Sequence, residues 1–277
     1  MTKRVAYQGI QGSFSSMAAA ALFGPGLEPI QTARFRDIFA HVVAGGTDAG
    51  VVPLENALAG SVHENYDLLG EFPVSIVAEA YLPVELHLVS LPGAEASHIR
   101  QVLSHPKALE QCSKFLEERP SISQVVSSDT AGAALEVLQR GDPALAAIAS
   151  DEAAKRLGLQ VIARNIQNHA LNATRFVAIS ASETQDTAAN KCSLLFTLPH
   201  KPGSLARILA AVAEQGGNIT KIESRPMPGK PFEYAFYIDI QASQESQGCI
   251  SRCIEAVSNS AASCRVLGRY RAASSLF

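Results

Sequence analysis

Two neighbouring residues past the middle of the chain, Thr174 and Arg175, combine a hydroxyl with a guanidinium. They lie in the segment NHALNATRFVAIS (168–180), in which Phe176 begins an apolar run that predicts a strand. An arginine can bind a carboxylate through two parallel hydrogen bonds, and a threonine hydroxyl can donate or accept a proton. Together with Asn172, these residues are candidates for contacting and converting an anionic ligand.

Strand geometry limits how the two side chains can cooperate. In a regular strand, Thr174 and Phe176 share one face and Arg175 points to the other. Thr174 and Arg175 can reach one ligand only if the backbone is irregular at Thr174.

The same segment matches the N-glycosylation sequon at 172–174, and residues 218–220 match it too. The start of the chain, 1–9, runs directly into a strand pattern and lacks the apolar stretch of a signal peptide. No segment approaches the roughly 18 consecutive apolar residues of a membrane span. We therefore expect a cytoplasmic protein without membrane contact, in which neither sequon is glycosylated.

Polar turns follow four predicted strands at the points where helices begin. They are YQGIQGSF (7–14), PLENALAGSV (53–62), LSHPKAL (103–109) and VVSSDTAGAA (125–134). In open α/β sheets ligands bind beyond the carboxyl ends of strands, and helix N-termini attract anions. We expect these turns to converge on a cleft and to supply the following ligand-binding residues: Gly12, Ser13, Glu55, Asn56, Ser104, His105, Ser127 and Thr130.

Each turn also has an ordinary structural interpretation. Four hydroxyl side chains could simply cap helices: Ser13, Ser61, Ser104 and Thr130. His105 could be an exposed turn residue. The Glu55 carboxylate, at the end of a buried strand, must be exposed in a cleft or paired. Gly9 and Gly12 fall short of a phosphate-binding glycine motif, so we expect no dinucleotide cofactor.

Strand and helix patterns alternate up to about residue 180, which predicts an α/β fold with largely parallel sheets. The helix in SVHENYDLLG (61–70) is predicted to begin with a capping box of Ser61 and Glu64. The extended stretch VSIVAEAYLPVELHLVSL (74–91) is broken by Pro83 and too long for one ordinary strand. We therefore expect it to cross between two lobes, the second spanning about 80–163.

The pattern changes after residues 181–190, ASETQDTAAN, which lack apolar periodicity and predict a linker. In 191–277 the predicted elements follow the order βαββαβ, the ferredoxin-like arrangement. A domain this small leaves a sheet face and edges that need cover, so we expect self-association into a homodimer or homotetramer.

The composition is that of an ordinary water-soluble protein. The 277 residues are 47% hydrophobic and 18% charged, with a formal net charge of −3, so no basic excess indicates nucleic-acid binding. Cys249 and Cys253 lie one helical turn apart and could bind a metal, or could be small apolar residues on one helix face. We predict neither a metal nor a disulfide.

Several motifs occur in the order found in prephenate dehydratases: YQGIQGSFS, PLENALAGSV, SHPKALEQC, SSDTAGAA, AAIAS and NATRF. The segments KPGSLARIL (201–209), NITKIESRP (218–226) and YAFYID (234–239) resemble the regulatory ACT domain of the same enzymes. The resemblance covers essentially the whole chain. The chorismate mutase domain fused to some relatives has no counterpart, which is typical of the monofunctional form.

The resemblance implies a two-lobed catalytic domain at 1–180, similar to a periplasmic binding protein, and an ACT domain at 191–277. It also implies that prephenate loses carbon dioxide and hydroxide together and aromatises to phenylpyruvate, on the route to phenylalanine, without a cofactor. Thr174 then corresponds to the family's essential threonine and proposed acid, with Arg175 and Phe176 completing the motif. The proton comes from its hydroxyl or from a bound water.

The family binds phenylalanine in the ACT domain through two motifs, GALV and ESRP. The second is intact at 223–226, whereas the first reads Gly203-Ser204-Leu205-Ala206 and departs at two positions. Ser204 could also be an ordinary helix N-cap. The resemblance places the effector between ACT domains of neighbouring subunits, on the following residues: Gly203, Ser204, Leu205, Ala206, Asn218, Ile219, Glu223, Ser224, Arg225 and Pro226.

Two other functions remain open from the sequence. Arogenate dehydratase performs nearly the same chemistry on the amino analogue of prephenate. A ligand-sensing protein built from a binding-protein fold and an ACT module is the second alternative, although Thr174 and Arg175 beside the intact turns favour an enzyme. A phenylpyruvate assay separates enzyme from sensor, and a comparison of the two substrates separates the enzymes.

Overall fold

The strands up to residue 180 form two separate sheets. In this computed structural model, which describes residues 2–183, 186–227, 229–242 and 248–273, the strands are as follows: β1 (Arg4–Gln8), β2 (Glu28–Thr32), β3 (Ala49–Asn56), β4 (Gly60–Ser61), β5 (Ser75–Pro83), β6 (His87–Ser90), β7 (Gln101–Ser104), β8 (Ser123–Val126), β9 (Leu145–Ala149), β10 (Gln160–Ala163) and β11 (Ala173–Ser180). The first sheet has the order β2-β1-β3-β11-β5, with β4 beside β3. The second has the order β10-β6-β9-β7-β8.

Helices cover the faces of these sheets. They are α1 (Phe14–Phe23), α2 (Phe35–Val43), α3 (His63–Glu71), α4 (Pro106–Gln111), α5 (Ser113–Glu117), α6 (Thr130–Arg140) and α7 (Asp151–Leu157). In α2 the buried residues Ile38, Phe39 and Val42 lie on one stripe, which packs against the first sheet. In the part of the chain that is described, no helix is long and apolar enough to cross a membrane.

The chain passes between the two sheets twice. The segment 74–91 contributes β5 to the first sheet and β6 to the second, with Pro83 as the last residue of β5, so the predicted crossing is confirmed. The chain returns from β10 to β11, and β11 pairs antiparallel with both β3 and β5. The prediction of largely parallel sheets is wrong here, because a returning strand inserted between β3 and β5 makes the sheet mixed.

Residues 191–270 form a smaller antiparallel sheet with two helices. Its elements are β12 (Lys191–Thr197), α8 (Ser204–Glu214), β13 (Asn218–Pro226), β14 (Tyr234–Gln241), α9 (Cys249–Ser260) and β15 (Ser263–Tyr270). The strand order is β13-β14-β12-β15, so the predicted ferredoxin-like arrangement is confirmed.

Cys249 and Cys253 belong to the core between this sheet and its helices. Both are buried, their sulfur atoms are 3.9 Å apart, and their neighbours are apolar residues such as Leu194, Ile208 and Val212. Among the described residues, no group of three or more histidine, cysteine or acidic side chains is arranged to hold a metal ion.

The smaller sheet packs its other face against the first lobe. Tyr237, Leu267 and Tyr270 join one apolar cluster with Tyr66 and Ile76 of the first lobe. The rings of Tyr66 and Tyr237 meet edge to face, with centroids 5.2 Å apart. The two parts of the chain therefore share a hydrophobic core.

Backbone contacts reinforce this interface. A Cβ atom at Gly268 in β15 would lie 2.1 Å from the carbonyl oxygen of Ile76 in β5, a separation that glycine alone permits. The Arg265 guanidinium donates to the carbonyl oxygens of Gly70 at 3.1 Å and Phe72 at 2.6 Å. These contacts fix the orientation of the smaller sheet on the first lobe.

The interface also explains why the predicted capping box is wrong. Helix α3 begins at His63, and its N-cap, Val62, makes no side-chain hydrogen bond to the helix. Ser61 lies in β4 instead, and its hydroxyl donates to Glu223 of β13 at 2.5 Å. The Ser61 hydroxyl, which was expected to cap the helix, is thus bound to Glu223 of the smaller sheet.

Candidate active site

The neighbouring strands β3 and β11 bring the catalytic candidates together. Their antiparallel register places Thr174 opposite Asn56 and Arg175 opposite Glu55. Successive side chains in a strand point to opposite faces. The Asn56–Thr174 pair therefore lies on one face of the sheet, and the Glu55–Arg175 pair lies on the other.

A chain of hydrogen-bonded amide side chains ends at the Thr174 hydroxyl. The Asn56 Nδ2 donates to Thr174 Oγ1 at 3.0 Å and to Asn172 Oδ1 at 2.8 Å. The Asn172 Nδ2 in turn donates to Gln111 Oε1 at 3.2 Å. Three predicted site residues thus meet directly, and Gln111 from the second lobe joins them.

The orientation of the Asn56 amide is fixed by the turn that follows β3. Its Oδ1 accepts from the backbone N–H groups of Leu58 at 3.0 Å and Ala59 at 2.8 Å. Its Nδ2 must then face Thr174, whose oxygen is an acceptor in this contact. Among the described residues no group accepts the Thr174 proton, so the proton is available to a ligand.

Phe176 has a different role from the other residues of its motif. It is 2% exposed and packs in the core of the first lobe with Val5, Tyr7 and Phe14. It shares its sheet face with Thr174, as the strand period requires, and it supports the strand beneath the hydroxyl. The prediction of a catalytic role for Phe176 is therefore replaced by a packing role.

The turn after β1 lies at the junction of the two lobes. Ser150, the N-cap of α7, donates its hydroxyl to the carbonyl oxygen of Gly12 at 2.9 Å. At Gly12, where φ is +91°, a Cβ atom would lie 2.9 Å from Cα of Ala153, so glycine permits this close approach. Ser13 caps α1 by accepting from the N–H of Ser16 at 3.2 Å.

The start of α6 lies beside the same turn. A Cβ atom at Gly9 would be 4.0 Å from Oδ1 of Asp129. Asp129, which was not among the predicted ligand-binding residues, caps α6 by accepting from the N–H of Gly132 at 2.7 Å, and Thr130 is the first helical residue. A carboxylate thus already occupies this helix N-terminus. Helix α1 has no acidic residue in its first turn and remains open to an anion.

His105 caps the short helix α4. Its Nδ1 accepts from the N–H of Lys107 at 3.2 Å, which leaves Nε2 to carry the proton of the neutral ring. Burial lowers the pKa of this imidazole below its ordinary value, and the nearby Asp129 carboxylate opposes that change. The ring is therefore neutral at neutral pH and offers a donor rather than a positive charge.

Ser104 and Ser127 hold strands together in the second lobe. The Ser104 hydroxyl is fully buried and donates to the carbonyl oxygen of Ile148 at 2.7 Å, which ties β7 to β9. The Ser127 N–H donates to the carbonyl oxygen of Ser104 at 2.8 Å and continues the pairing of β7 with β8. The expectation that the Ser104 hydroxyl contacts a ligand is corrected by this contact.

Arg175 points away from Thr174 into the interface with the smaller sheet. Its side chain is 3% exposed and donates to Glu79 at 2.7 Å and to the Tyr270 hydroxyl at 3.0 Å, with a further ion pair to Asp239. The prediction that Arg175 clamps a substrate carboxylate is therefore wrong. The pairing of β11 with β5 is regular at Thr174 and Arg175, and the register shift against β3 comes only after Arg175, so the pleat separates the two side chains.

The interface around Arg175 is a buried network of two cations and two carboxylates. Lys191 donates to both carboxylate oxygens of Glu79 at 2.9 Å, and Ser193 contacts both Asp239 and Tyr270. Burial opposes the charge of Arg175, yet Asp239, Tyr270 and Glu79 raise its pKa well above the ordinary value. Such a network is satisfied only when both domains are in place.

Glu55 is also paired across the interface. Its Oε1 accepts from the Lys221 Nζ of β13 at 2.7 Å. Of the two alternatives for a carboxylate at the end of a buried strand, pairing is the one that the structure adopts. The expectation that Glu55 contacts a ligand in the cleft is corrected accordingly.

The residues of the expected phenylalanine site divide into two groups. In β13, an edge strand, Glu223 and Arg225 face the first lobe, where Glu223 meets Ser61 and Arg225 pairs with Asp67 at 2.7 Å. The exposed side chains of this strand alternate with them: Asn218, Thr220, Ile222, Ser224 and Pro226. Ile219 packs against the domain core.

The second group lies at the start of α8. Gly203, with φ +78°, is the N-cap of this helix, so the alternative in which Ser204 caps it is wrong. A cavity of about 270 Å³ opens beside it, and its lining includes His200, Ser204, Leu205, Tyr234 and Phe236. Ala206 is exposed and does not line it. Residues 223–226 do not line this cavity, although the next residue, Met227, does.

Comparison with known families agrees with these two parts of the chain. The profile of the family described as "Prephenate dehydratase" matches residues 5–184, and that of the ACT domain matches residues 193–246. The chain belongs to the prephenate dehydratase family.

Relatives of this family extend over nearly the whole chain. One is "Arogenate dehydratase/prephenate dehydratase 2, chloroplastic" of Arabidopsis thaliana, 38% identical over 96% of this chain and 72% of its own length. A prephenate dehydratase from Arthrobacter aurescens, solved with L-Phe, is 30% identical, with a TM-score of 0.86 over 97% of this chain and 90% of that one. GqqA, described as a novel type of quorum quenching acylase, has the same identity and TM-score over 98% of both chains.

Sequence reasoning missed Gln111 and the interface partners of Arg175. Gln111 lies at the end of α4, more than 50 residues from Asn56 and Asn172, and only the fold brings it to them. Its place at the end of the motif SHPKALEQC was the available signal. The partners Asp239 and Tyr270 lie in the other domain, and no local pattern marks them.

Proposed function

We propose that this chain converts prephenate to phenylpyruvate and that phenylalanine inhibits it. The observation that carries the proposal is the Thr174 hydroxyl, whose oxygen accepts from Asn56 and whose proton has no acceptor among the described residues. In the reaction the bond from the ring to the carboxylate carbon breaks and carbon dioxide leaves. The electron pair completes the aromatic ring as the ring hydroxyl, given a proton, departs as water.

The surroundings of Thr174 fit the task of an acid. A donor held on the threonine oxygen stabilises the negative charge that develops as the hydroxyl gives up its proton. A hydroxyl is nonetheless a weak acid, so a fixed substrate position must contribute much of the rate enhancement. The amides of Asn56, Asn172 and Gln111 supply such a rigid frame. A bound water that relays the proton is equally compatible with this frame.

The substrate's two carboxylates require electropositive positions in the cleft. The N-terminus of α1 after Ser13 is one, since it carries no acidic residue. The neutral His105 ring adds a hydrogen-bond donor on the second lobe. A substrate bound between the lobes in this way would contact the amides of Asn56 and Asn172 on one side and that of Gln111 on the other.

Acylase chemistry is less well supported, despite the similarity to GqqA. Amide hydrolysis by a hydroxyl nucleophile requires a neighbouring base to take its proton. The partner of Thr174 is the Asn56 Nδ2, which donates a hydrogen bond and cannot accept a proton. The geometry therefore favours a proton donor over a nucleophile.

The direct test is a turnover assay with purified protein and prephenate, followed by phenylpyruvate absorbance. We expect phenylpyruvate to form without added metal or cofactor. Arogenate in place of prephenate is the second arm, because the Arabidopsis relative is named for both activities. A larger kcat/KM with arogenate would reassign the substrate, and no turnover of either would remove the dehydratase proposal.

For the organisation of the protein, we propose a catalytic domain at 1–180, a linker at 181–190 and an ACT domain at 191–277, in a cytoplasmic homodimer or homotetramer. Ser204 and Leu205 line the α8 cavity and residues 223–226 do not, which supports a phenylalanine site completed by a second chain. The L-Phe complex of the Arthrobacter relative supports the choice of effector. Light scattering with and without phenylalanine measures the assembly.

A further inference from the structure

We propose that Lys221 of the smaller domain is a positioning residue for the active site, and that it carries the effect of a ligand on β13 to Thr174. This inference rests on the proposed function for its link to turnover. The positioning role itself is a statement about structure that can be measured without the reaction.

Lys221 holds both ends of the turn that orients Asn56. Its Nζ lies 2.7 Å from Glu55 Oε1 and 2.8 Å from Ser61 Oγ. Glu55 and Ser61 are cross-strand partners of the β3–β4 hairpin. Between them lie the backbone N–H groups of Leu58 and Ala59, which fix the Asn56 side chain. One ammonium group therefore closes the hairpin from behind the catalytic face.

The position of Lys221 makes this contact effective. The Lys221 side chain is 15% exposed and that of Glu55 is 33% exposed, so solvent screens the pair only in part. Glu55 directly precedes Asn56 in β3. In the backbone register with β11, Glu55 lies opposite Arg175 and Asn56 lies opposite Thr174. A shift of the Glu55 backbone is therefore passed to the hydrogen bond between Asn56 and Thr174.

Lys221 is also connected to the expected effector site. The Glu223 carboxylate accepts from Ser61 at 2.5 Å and lies 3.7 Å from the Lys221 Nζ. His63 lies 3.4 Å from the same carboxylate. A ligand that binds the Glu223 carboxylate must change the contacts of Glu223 with Ser61 and Lys221. It thereby changes how firmly Lys221 holds the β3–β4 hairpin. This is the differential contact that an allosteric effect requires.

The chain offers a matched control on the same strand. Arg225 of β13 pairs with Asp67, which also joins the two domains but ends on helix α3 instead of β3. Asp67→Asn removes a comparable ion pair without touching the hairpin. Lys221→Met removes the ammonium at similar side-chain length, and Lys221→Arg keeps the positive charge.

Hydrogen exchange of the intact protein tests the positioning role directly. Loss of the charged contacts in Lys221→Met is expected to speed amide exchange about tenfold in 54–62 and 172–176. Asp67→Asn and Lys221→Arg should exchange in these segments as the wild type does. Unchanged exchange in Lys221→Met overturns the proposal, and so does an equal acceleration in every segment, which would mean a contribution to global stability alone.

Kinetics with prephenate provide the second readout. For Lys221→Met we expect kcat to fall about tenfold with little change in KM, because the misplaced group acts in the chemical step. Phenylalanine should inhibit this variant by a smaller factor than it inhibits the wild type. Adding Glu55→Gln to Lys221→Met should not lower kcat further, because the contact between the two side chains is already lost. Unchanged kcat and inhibition would overturn the link to turnover. If the wild type lacks dehydratase activity, the proposed function fails, and the exchange experiment still decides the positioning role.

Discussion

Thr174→Ala is expected to lower kcat for prephenate by roughly 100- to 10,000-fold, the range typical of a lost general acid. The fold should persist, because the hydroxyl makes one described side-chain hydrogen bond and the Asn56 Nδ2 keeps Asn172 Oδ1 as a partner. Thr174→Ser keeps the hydroxyl and should retain more activity. The measurement is steady-state phenylpyruvate formation, with thermal unfolding followed by circular dichroism.

The control for this variant is Thr187→Ala, at an exposed position outside the cleft. It should have the wild-type kcat and melting temperature. A correctly folded Thr174→Ala protein with normal kcat would remove Thr174 from the mechanism. The site would then need another proton donor, such as His105 or a water held by the amide frame.

Arg175→Met is expected to lower the free energy of unfolding by about 3–5 kcal/mol, the usual cost of breaking a buried ion pair. The substitution leaves the carboxylates of Glu79 and Asp239 buried, with Lys191 as the remaining cation of the network. The loss of stability arises in the interface between the two domains. It should therefore be measured by denaturant unfolding of the intact protein, with a signal to which both domains contribute. Turnover in the folded fraction should change far less than in Thr174→Ala.

Arg34→Met provides the comparison for Arg175→Met. Arg34 also pairs with a carboxylate, Asp37, but its side chain is 73% exposed. Removing it should leave the free energy of unfolding nearly unchanged, because solvent screens so exposed a pair. If the two arginine variants lost equal stability, the buried network would not be what joins the domains. A rise in KM for prephenate without a loss of stability in Arg175→Met would mean that the guanidinium binds the substrate in the cleft.

The positions of Thr174 and Asn56 at strand ends could be predicted because local rules decide them. Thr174 at the start of an apolar strand and Asn56 at the end of a buried one both follow from hydrophobic patterning and turn chemistry. The βαββαβ order of the second domain also follows from the change of period after the linker. In these segments neighbours in sequence settle the structure.

The roles of Arg175 and Glu55 could not be predicted in the same way. The strand period states that Arg175 and Thr174 face opposite sides, but it does not say which groups cover the second side. Those groups come from β13, β14 and β15, up to 166 residues from Glu55 in the case of Lys221. The sequence therefore made Arg175 a candidate for ligand binding, whereas the structure pairs it with Glu79 of the first lobe and with Asp239 and Tyr270 of the smaller domain.

Gln111 illustrates the same limit within the catalytic domain. It lies 61 residues from Asn172 and its amide completes the frame around Thr174 only when the two lobes come together. The antiparallel insertion of β11 between β3 and β5 has the same cause, since it depends on how the chain returns from the second lobe. Both features arise from tertiary packing, which overrides local preference.

The most direct test of the account is a crystal structure of the Thr174→Ala protein with prephenate bound. We expect the substrate to lie between the lobes. Its departing hydroxyl should face position 174 and the Asn56 amide, and one of its carboxylates should lie at the N-terminus of α1. Arg175 should remain in contact with Glu79 and Asp239. A substrate whose ring hydroxyl is turned away from position 174, or whose carboxylate is held by Arg175, would contradict the account.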